Sequence, residues 1–130
     1  MTRINCIPVQ ELTDKHLGAE YRELPRLFKQ VAAAVARGER PDDPRNPTRY
    51  TLGEGHVRFF YPRLGFIVTR YHQIALECVL RNRKVLYDGV PPAADEIPPE
   101  WFGQWKPDAQ ALALNRARIA ERLSTAHQVR

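Results

Sequence analysis

One stretch limits what this chain can fold into more than any other: Asp14 to Arg37, which reads as a single long amphipathic helix. At roughly 100° per residue it separates into three faces. Leu17, Tyr21, Leu24, Phe28, Val31 and Val35 recur at spacings of three and four, the stripe a helix buries against a core. Almost opposite stand Lys15, Arg22, Arg26 and Lys29, a row of cations with no acid among them, which suits a polyanion. His16, Ala19, Glu20, Glu23 and Leu27 lie at the edge between the two.

Pro25 interrupts this pattern. It has no amide hydrogen to offer the carbonyl of Tyr21, and its ring crowds the same turn at a cost of about 3 kcal/mol or more. The expectation is a bend just past Arg22 and Glu23; a stop near Leu24 with a restart at Pro25 is the alternative. Either puts Glu23 at a backbone irregularity, where a side chain is readily aimed into a cleft.

Charge is uneven along the chain. The formal net charge of +5 divides into 0 over residues 1–44, +6 over 45–85, −4 over 86–110 and +3 over 111–130. Sixteen of the twenty cations are arginine, whose planar fork matches phosphate oxygens better than a lysine point charge does. Nucleic acid is the partner this favours. With 130 residues and 43% hydrophobic content, one domain over residues 1–130 is expected, large enough to bury a core. No apolar run is long enough to span a membrane. The N-terminus carries no apolar signal core, which predicts a cytoplasmic protein, associated with the nucleoid when on DNA. Cys6 and Cys78 lie far apart with no CxxC, so a disulfide or zinc site is not expected.

The remaining segments predict two more helices. Residues 1–13 read as an extended arm, and Arg40 to Thr51 as a proline-rich loop. Leu52-Gly53-Glu54-Gly55-His56-Val57 follows; a tight turn is favoured there over a phosphate loop. Val57 to Tyr61 is strand-like in composition. Leu64, Ile67, Tyr71, Ile74 and Cys78 mark a core-facing helix from Pro62 to about Asn82, with Arg63 and Arg70 sharing a face and Arg81, Arg83 and Lys84 at its end. Residues 86–107 hold five prolines, with Trp101, Phe102 and Trp105 expected to pin the connector to the core. Asp108 is a good N-cap for a third helix through about Thr125, with Leu112, Ile119 and Leu123 on its apolar side and Asn115, Arg118 and Arg122 on the other.

Thr2-Arg3-Ile4-Asn5, Glu20-Tyr21-Arg22-Glu23-Leu24-Pro25-Arg26 and Gly53-Glu54-Gly55-His56-Val57 together resemble the pyrimidine-dimer DNA glycosylases of the phage ultraviolet endonuclease V type. The likeness extends through Glu77-Cys78, Ile97-Pro98 and Ala117-Arg118 and is strongest in the first 26 residues. It implies an all-α fold: one compact domain of three main helices, the N-terminal arm packed between them, and long proline-rich loops. It also implies that the amine of Thr2 attacks the sugar of the damaged nucleotide and that Glu23 is the essential carboxylate. Arg3, Arg22, Arg26 and Arg118 would bind DNA, with Arg122 where the family has another cation; Lys15, His16 and Lys29 of the basic helix complete the expected contact set. The partner would be double-stranded damaged DNA, bound by a monomer, with no cofactor and no metal.

General chemistry agrees with the roles the resemblance implies. An α-amine has a reference pKa of about 7.7 to 8.0 against about 10.4 for lysine, so far more of it is nucleophilic at neutral pH. Attack at C1′ displaces the base and leaves an imine, and a nearby carboxylate stabilises the cationic sugar and removes a 2′ proton for β-elimination. The amine exists only once Met1 is removed, so a chain that keeps Met1 is expected to be inactive. Two departures from the phage enzyme bear on specificity: Lys15 replaces an amide before His16, and Ser124 to Arg130 contains no aromatic where the phage tail is aromatic-rich. Abasic-site cleavage is expected to survive these changes more securely than dimer preference. A basic DNA-binding protein without catalysis would show the same cationic faces. His16, Glu20 and Glu23 share a helical edge, but no second His/Asp cluster accompanies them as metal ligands.

Overall fold

The computed structural model describes the backbone of residues 4–128 and the side chains of residues 4–124. Four α-helices carry the fold, α1 (Asp14–Ala36), α2 (His56–Phe59), α3 (Leu64–Leu80) and α4 (Ala109–Gln128), with single 3-10 turns at Val9–Glu11, Ala94–Glu96 and Pro99–Trp101. There is no strand among the described residues, only an isolated bridge between Arg63 and Phe102. The architecture is all-α, as the three long amphipathic segments require.

Thr13 caps α1, its hydroxyl accepting from the His16 amide at 3.2 Å. The helix runs unbroken through Pro25, so the alternative of a stop near Leu24 is not taken. Burial decides this. Leu24, Leu27 and Phe28 flank the proline and are at most 1% exposed. Each contributes about 1.5–3 kcal/mol, together more than the roughly 3 kcal/mol the proline costs. At the far end Gly38, at φ +89°, takes the left-handed conformation of a Schellman cap, with Glu39 N–H donating to the Ala34 carbonyl.

α1 packs against α3, whose Leu64, Ile67, Tyr71, Ile74 and Cys78 are all buried. Where α3 begins, Gly65 lies under the 102–103 backbone, too close to the Phe102 carbonyl for a β-carbon. Ile4, Ile7, Val9 and Leu12 bury the arm in the same core. Trp101 is buried, and Trp105 stacks on Tyr50 and meets Phe59, Phe60 and Phe66 edge-on, so the proline-rich connector is pinned as its composition suggests. Cys6 and Cys78 are free and buried.

Four sequence signals resolve differently once neighbours distant in sequence are in place. Val57 to Tyr61 is not a strand: Gly53 and Gly55, at φ +72° and +83°, turn the chain into the one-turn helix α2, which buries the consecutive rings of Phe59 and Phe60. A strand would have sent them to opposite faces. Glu20 is not at a helix edge but 0% exposed, because the arm covers that flank of α1. Arg63 and Arg70 share a helical face in sequence, yet each is engaged within the protein. Arg63 lies over the Phe59 ring at 4.0 Å, and Arg70 is buried against Glu20. Asn115 is also buried rather than set beside the half-buried Arg118 and Arg122; the most covered positions of α4 are Ala111 and Asn115. Leu112 and Ile119 are only partly covered, and Leu123 is exposed.

Candidate active site and nucleic-acid face

The arm runs antiparallel to α1, and buried polar groups fix its course. Near its α1 end, Arg81 donates to the carbonyls of Val9 and Gln10 and to Asp14 at the start of α1. Further along, Arg70 donates to the Ile7 carbonyl from Nη1 while its Nε and Nη2 hold Glu20 at 2.7 and 3.1 Å. Asn5 then donates to Glu20 Oε1 at 2.9 Å. From α4, Asn115 Oδ1 accepts from the amides of Cys6 and Ile7 at 2.7 and 3.2 Å, and its Nδ2 donates to Asn5 Oδ1 at 2.8 Å. One asparagine thus satisfies two backbone donors and one side chain that burial would otherwise leave unpaired.

His56 holds the next residue. Its Nδ1 faces the Thr51 carbonyl at 2.8 Å, which can only accept, and its Nε2 faces the Ile4 amide at 3.4 Å, which can only donate. Both contacts require the neutral imidazole protonated on Nδ1. Burial holds the His56 pKa below its ordinary value of 6.5, in agreement. Cys6 is no competing nucleophile, since burial pushes its thiol up to about 11.

Glu23 lies one helical turn beyond Glu20, about 4.5 Å along the axis, and is 7% exposed. Its Oε2 is 3.7 Å from Arg26 Nη1. Lys15, Arg22, Arg26 and Lys29 are exposed along the outer face of α1. His16 is half-buried, and its imidazole is held below its ordinary value first by burial and then by the positive charges of Lys15 and Arg122, so α4 brings Arg122 close to the start of α1. Arg118 and Arg122 are half-buried on α4, Arg118 at 3.8 Å from Glu121 and Arg122 with its Nε buried and unpartnered among the described residues. Thr2 and Arg3 lie outside the described residues.

The fold therefore gathers Glu23 and Arg26 at one place on α1, and His16 and Arg122 at another. Sequence reasoning did not foresee the anchoring set of Asn5, Glu20, His56, Arg70 and Asn115. Its members are scattered over more than a hundred positions, and although each stood in a stretch that drew attention, none was read as an anchor for the arm. Among the described residues no three His, Cys, Asp or Glu side chains are grouped to hold a metal, and Glu20 is taken by Arg70. No helix among them is long and apolar enough to cross a membrane.

An acid in a nearly buried position beside an exposed arginine row, one turn from the Glu20 to which the arm is tied, is an arrangement suited to chemistry on a phosphodiester chain. Residues 1–88 match the family model for pyrimidine dimer DNA glycosylase, more than half of the chain, and the protein belongs to that family of DNA repair glycosylases acting on damaged DNA.

Proposed function

We propose that this glycosylase couples base removal to cleavage at the resulting abasic site, using the α-amine of Thr2 as nucleophile and Glu23 as the carboxylate. The observation that carries the reading is the antiparallel course of the arm, with Asn5 tied to Glu20 one turn before Glu23. Extended chain advances about 3.3 Å per residue, so the positions preceding Asn5 have the reach to cover the single turn of α1 that separates Glu20 from Glu23.

In this mechanism the amine lone pair forms a bond to C1′ and the glycosidic bond breaks, the base leaving with a proton. Ring opening gives an imine between the amine and C1′. Glu23 stabilises the positive charge that develops on the sugar, then accepts the 2′ proton, and the 3′ C–O bond breaks by β-elimination. Arg3, Lys15, His16, Arg22, Arg26, Lys29, Arg118 and Arg122 hold phosphates. Such contacts position the protein without reading sequence, so lesion choice follows from how readily a damaged pair distorts. A monomer suffices, since every group invoked comes from one chain.

The test is borohydride trapping of Met1-free protein on two duplexes, one with an abasic site and one with a thymine dimer, followed by peptide mapping. The expected result is a Thr2 adduct on both. An adduct on the abasic duplex alone would mean a lyase with another lesion preference, and none on either would reduce the protein to a DNA-binding module.

A further inference from the structure

The cationic row on α1 has a gap. Lys15, Arg22, Arg26 and Lys29 follow one another along the outer face, but the turn between Lys15 and Arg22 carries Gly18, which is buried although it stands next to that face. What covers it is Arg83. A β-carbon built at Gly18 would lie 2.9 Å from Arg83 Nη2 and 3.4 Å from Arg22 Nη1. Two guanidinium groups, one from α1 and one from beyond α3, therefore converge on one glycine.

Arg83 is held there by backbone. Asn82, at φ +59°, ends α3 in a Schellman cap: its amide donates to the Val79 carbonyl at 3.0 Å, and the Arg83 amide donates to Cys78 at 2.8 Å. On its other side, the Tyr21 hydroxyl accepts from the amides of Leu86 and Tyr87 at 2.7 and 3.1 Å, fastening that segment to α1. The position is fixed both before and after Arg83.

Like Arg49, the two side chains differ from the remaining arginines of residues 45–85, which already have partners. Arg45, Arg58 and Arg81 bind carboxylates, Arg63 lies on the Phe59 ring and Arg70 is paired in the core. Arg22 and Arg83 are exposed and form no ion pair among the described residues. Two like charges brought this close without a counter-charge make a site for an anion, and two planar forks can each take a different oxygen of one phosphodiester.

We infer that Arg83 and Arg22 form a phosphate clamp over Gly18, which holds the DNA backbone next to the reacting nucleotide. The inference rests on the reading of α1 as the DNA-binding helix. Gly18 precedes Glu23 by about 7.5 Å along the axis, so the phosphate held is one flanking the nucleotide at Glu23. The absent β-carbon is what leaves room for the Arg83 guanidinium beside Arg22.

The test is the salt dependence of binding to a duplex carrying a non-cleavable abasic analogue, for the wild type, Arg83→Ala, Lys84→Ala, Gly18→Ala and Arg26→Ala. Losing one phosphate contact lowers the slope of log K against log salt by about 0.9. Arg83→Ala is expected to show that loss, and Lys84→Ala, which removes the same charge one residue on, is not. Gly18→Ala keeps every charge and improves helix propensity, so it stays folded, yet its β-carbon displaces Arg83 and should reproduce the Arg83→Ala slope. Equal effects of Arg83→Ala and Lys84→Ala would overturn the clamp in favour of general charge. An unchanged slope in Arg83→Ala alongside a reduced one in Arg26→Ala would overturn it while leaving α1 as the DNA helix. A Gly18→Ala protein that binds like the wild type would overturn the role of the glycine. No salt-dependent binding by the wild type would remove the underlying reading itself.

Discussion

Arg70 and Glu20 meet in the core at 2.7 Å, 3% and 0% exposed at their side chains, and the same guanidinium also donates to the Ile7 carbonyl. The pair is thus a fastening for the N-terminal arm as well as an internal ion pair. Arg70→Met leaves the Glu20 charge buried and is expected to cost about 3–5 kcal/mol, read by urea unfolding. Adding Glu20→Leu removes the stranded charge, so the double variant should be more stable than Arg70→Met alone. Additive losses would show that the two side chains do not act as a pair.

Asn115 is the matching fastening from α4. Asn115→Leu strands the amides of Cys6 and Ile7, at about 1–3 kcal/mol for each buried group left unpaired. Because these residues set the course of the arm, the variant should lose borohydride trapping far more than affinity for duplex DNA. Equal losses in both would mean that Asn115 serves folding alone.

Glu23→Gln keeps the size of the side chain and removes its basicity. Duplex binding should persist while strand cleavage falls by about 10²–10⁴-fold, the range for loss of a positioned general base. Single-turnover cleavage of an abasic duplex measures this directly, and cleavage at the wild-type rate would take Glu23 out of the mechanism.

His56 links stability to pH. Its folded pKa lies below the ordinary 6.5, first because of burial. Above about pH 6.5 both folded and unfolded chains carry it neutral. As pH falls below that value, the unfolded chain binds a proton that the folded chain refuses, so stability declines by up to about 1.4 kcal/mol per pH unit and levels off at the folded pKa. His16, also lowered, adds to the decline in the same window. Gln at position 56 can serve the Thr51 and Ile4 partners without titrating, so His56→Gln should flatten the fall in Tm between pH 7 and 5. An unaltered profile would contradict a buried neutral His56.

The helices were legible because their signals are local. The Leu17 to Val35 stripe, the Leu64 to Cys78 series and the Asp108 cap are each written within a few turns, and the Asp108 carboxylate accepts from the Ala111 amide at 2.8 Å as a cap should. The exposure of Lys15, Arg22, Arg26 and Lys29 follows from the same periodicity. What could not be read was set by partners distant in sequence. Glu20 and Glu23 looked alike at the helix edge; Arg70, fifty residues on, singles out Glu20 for the core. Asn115 read as a polar neighbour of Arg118 until the arm supplied three groups for it to bind. Val57 to Tyr61 carried strand-forming residues, but the glycine turn before them and the aromatic cluster around them outweighed that preference.

The bonds from Asn115 to Asn5, Cys6 and Ile7 span 110, 109 and 108 residues. Closing so long a loop is entropically costly and belongs late in folding. On the ribosome, the segment synthesised first is consequently the last to be secured, since Asn115 emerges more than a hundred residues after the groups it binds. The arm thus takes its final course only after α1, α3 and α4 have all been made, so the oldest part of the chain is ordered by the youngest.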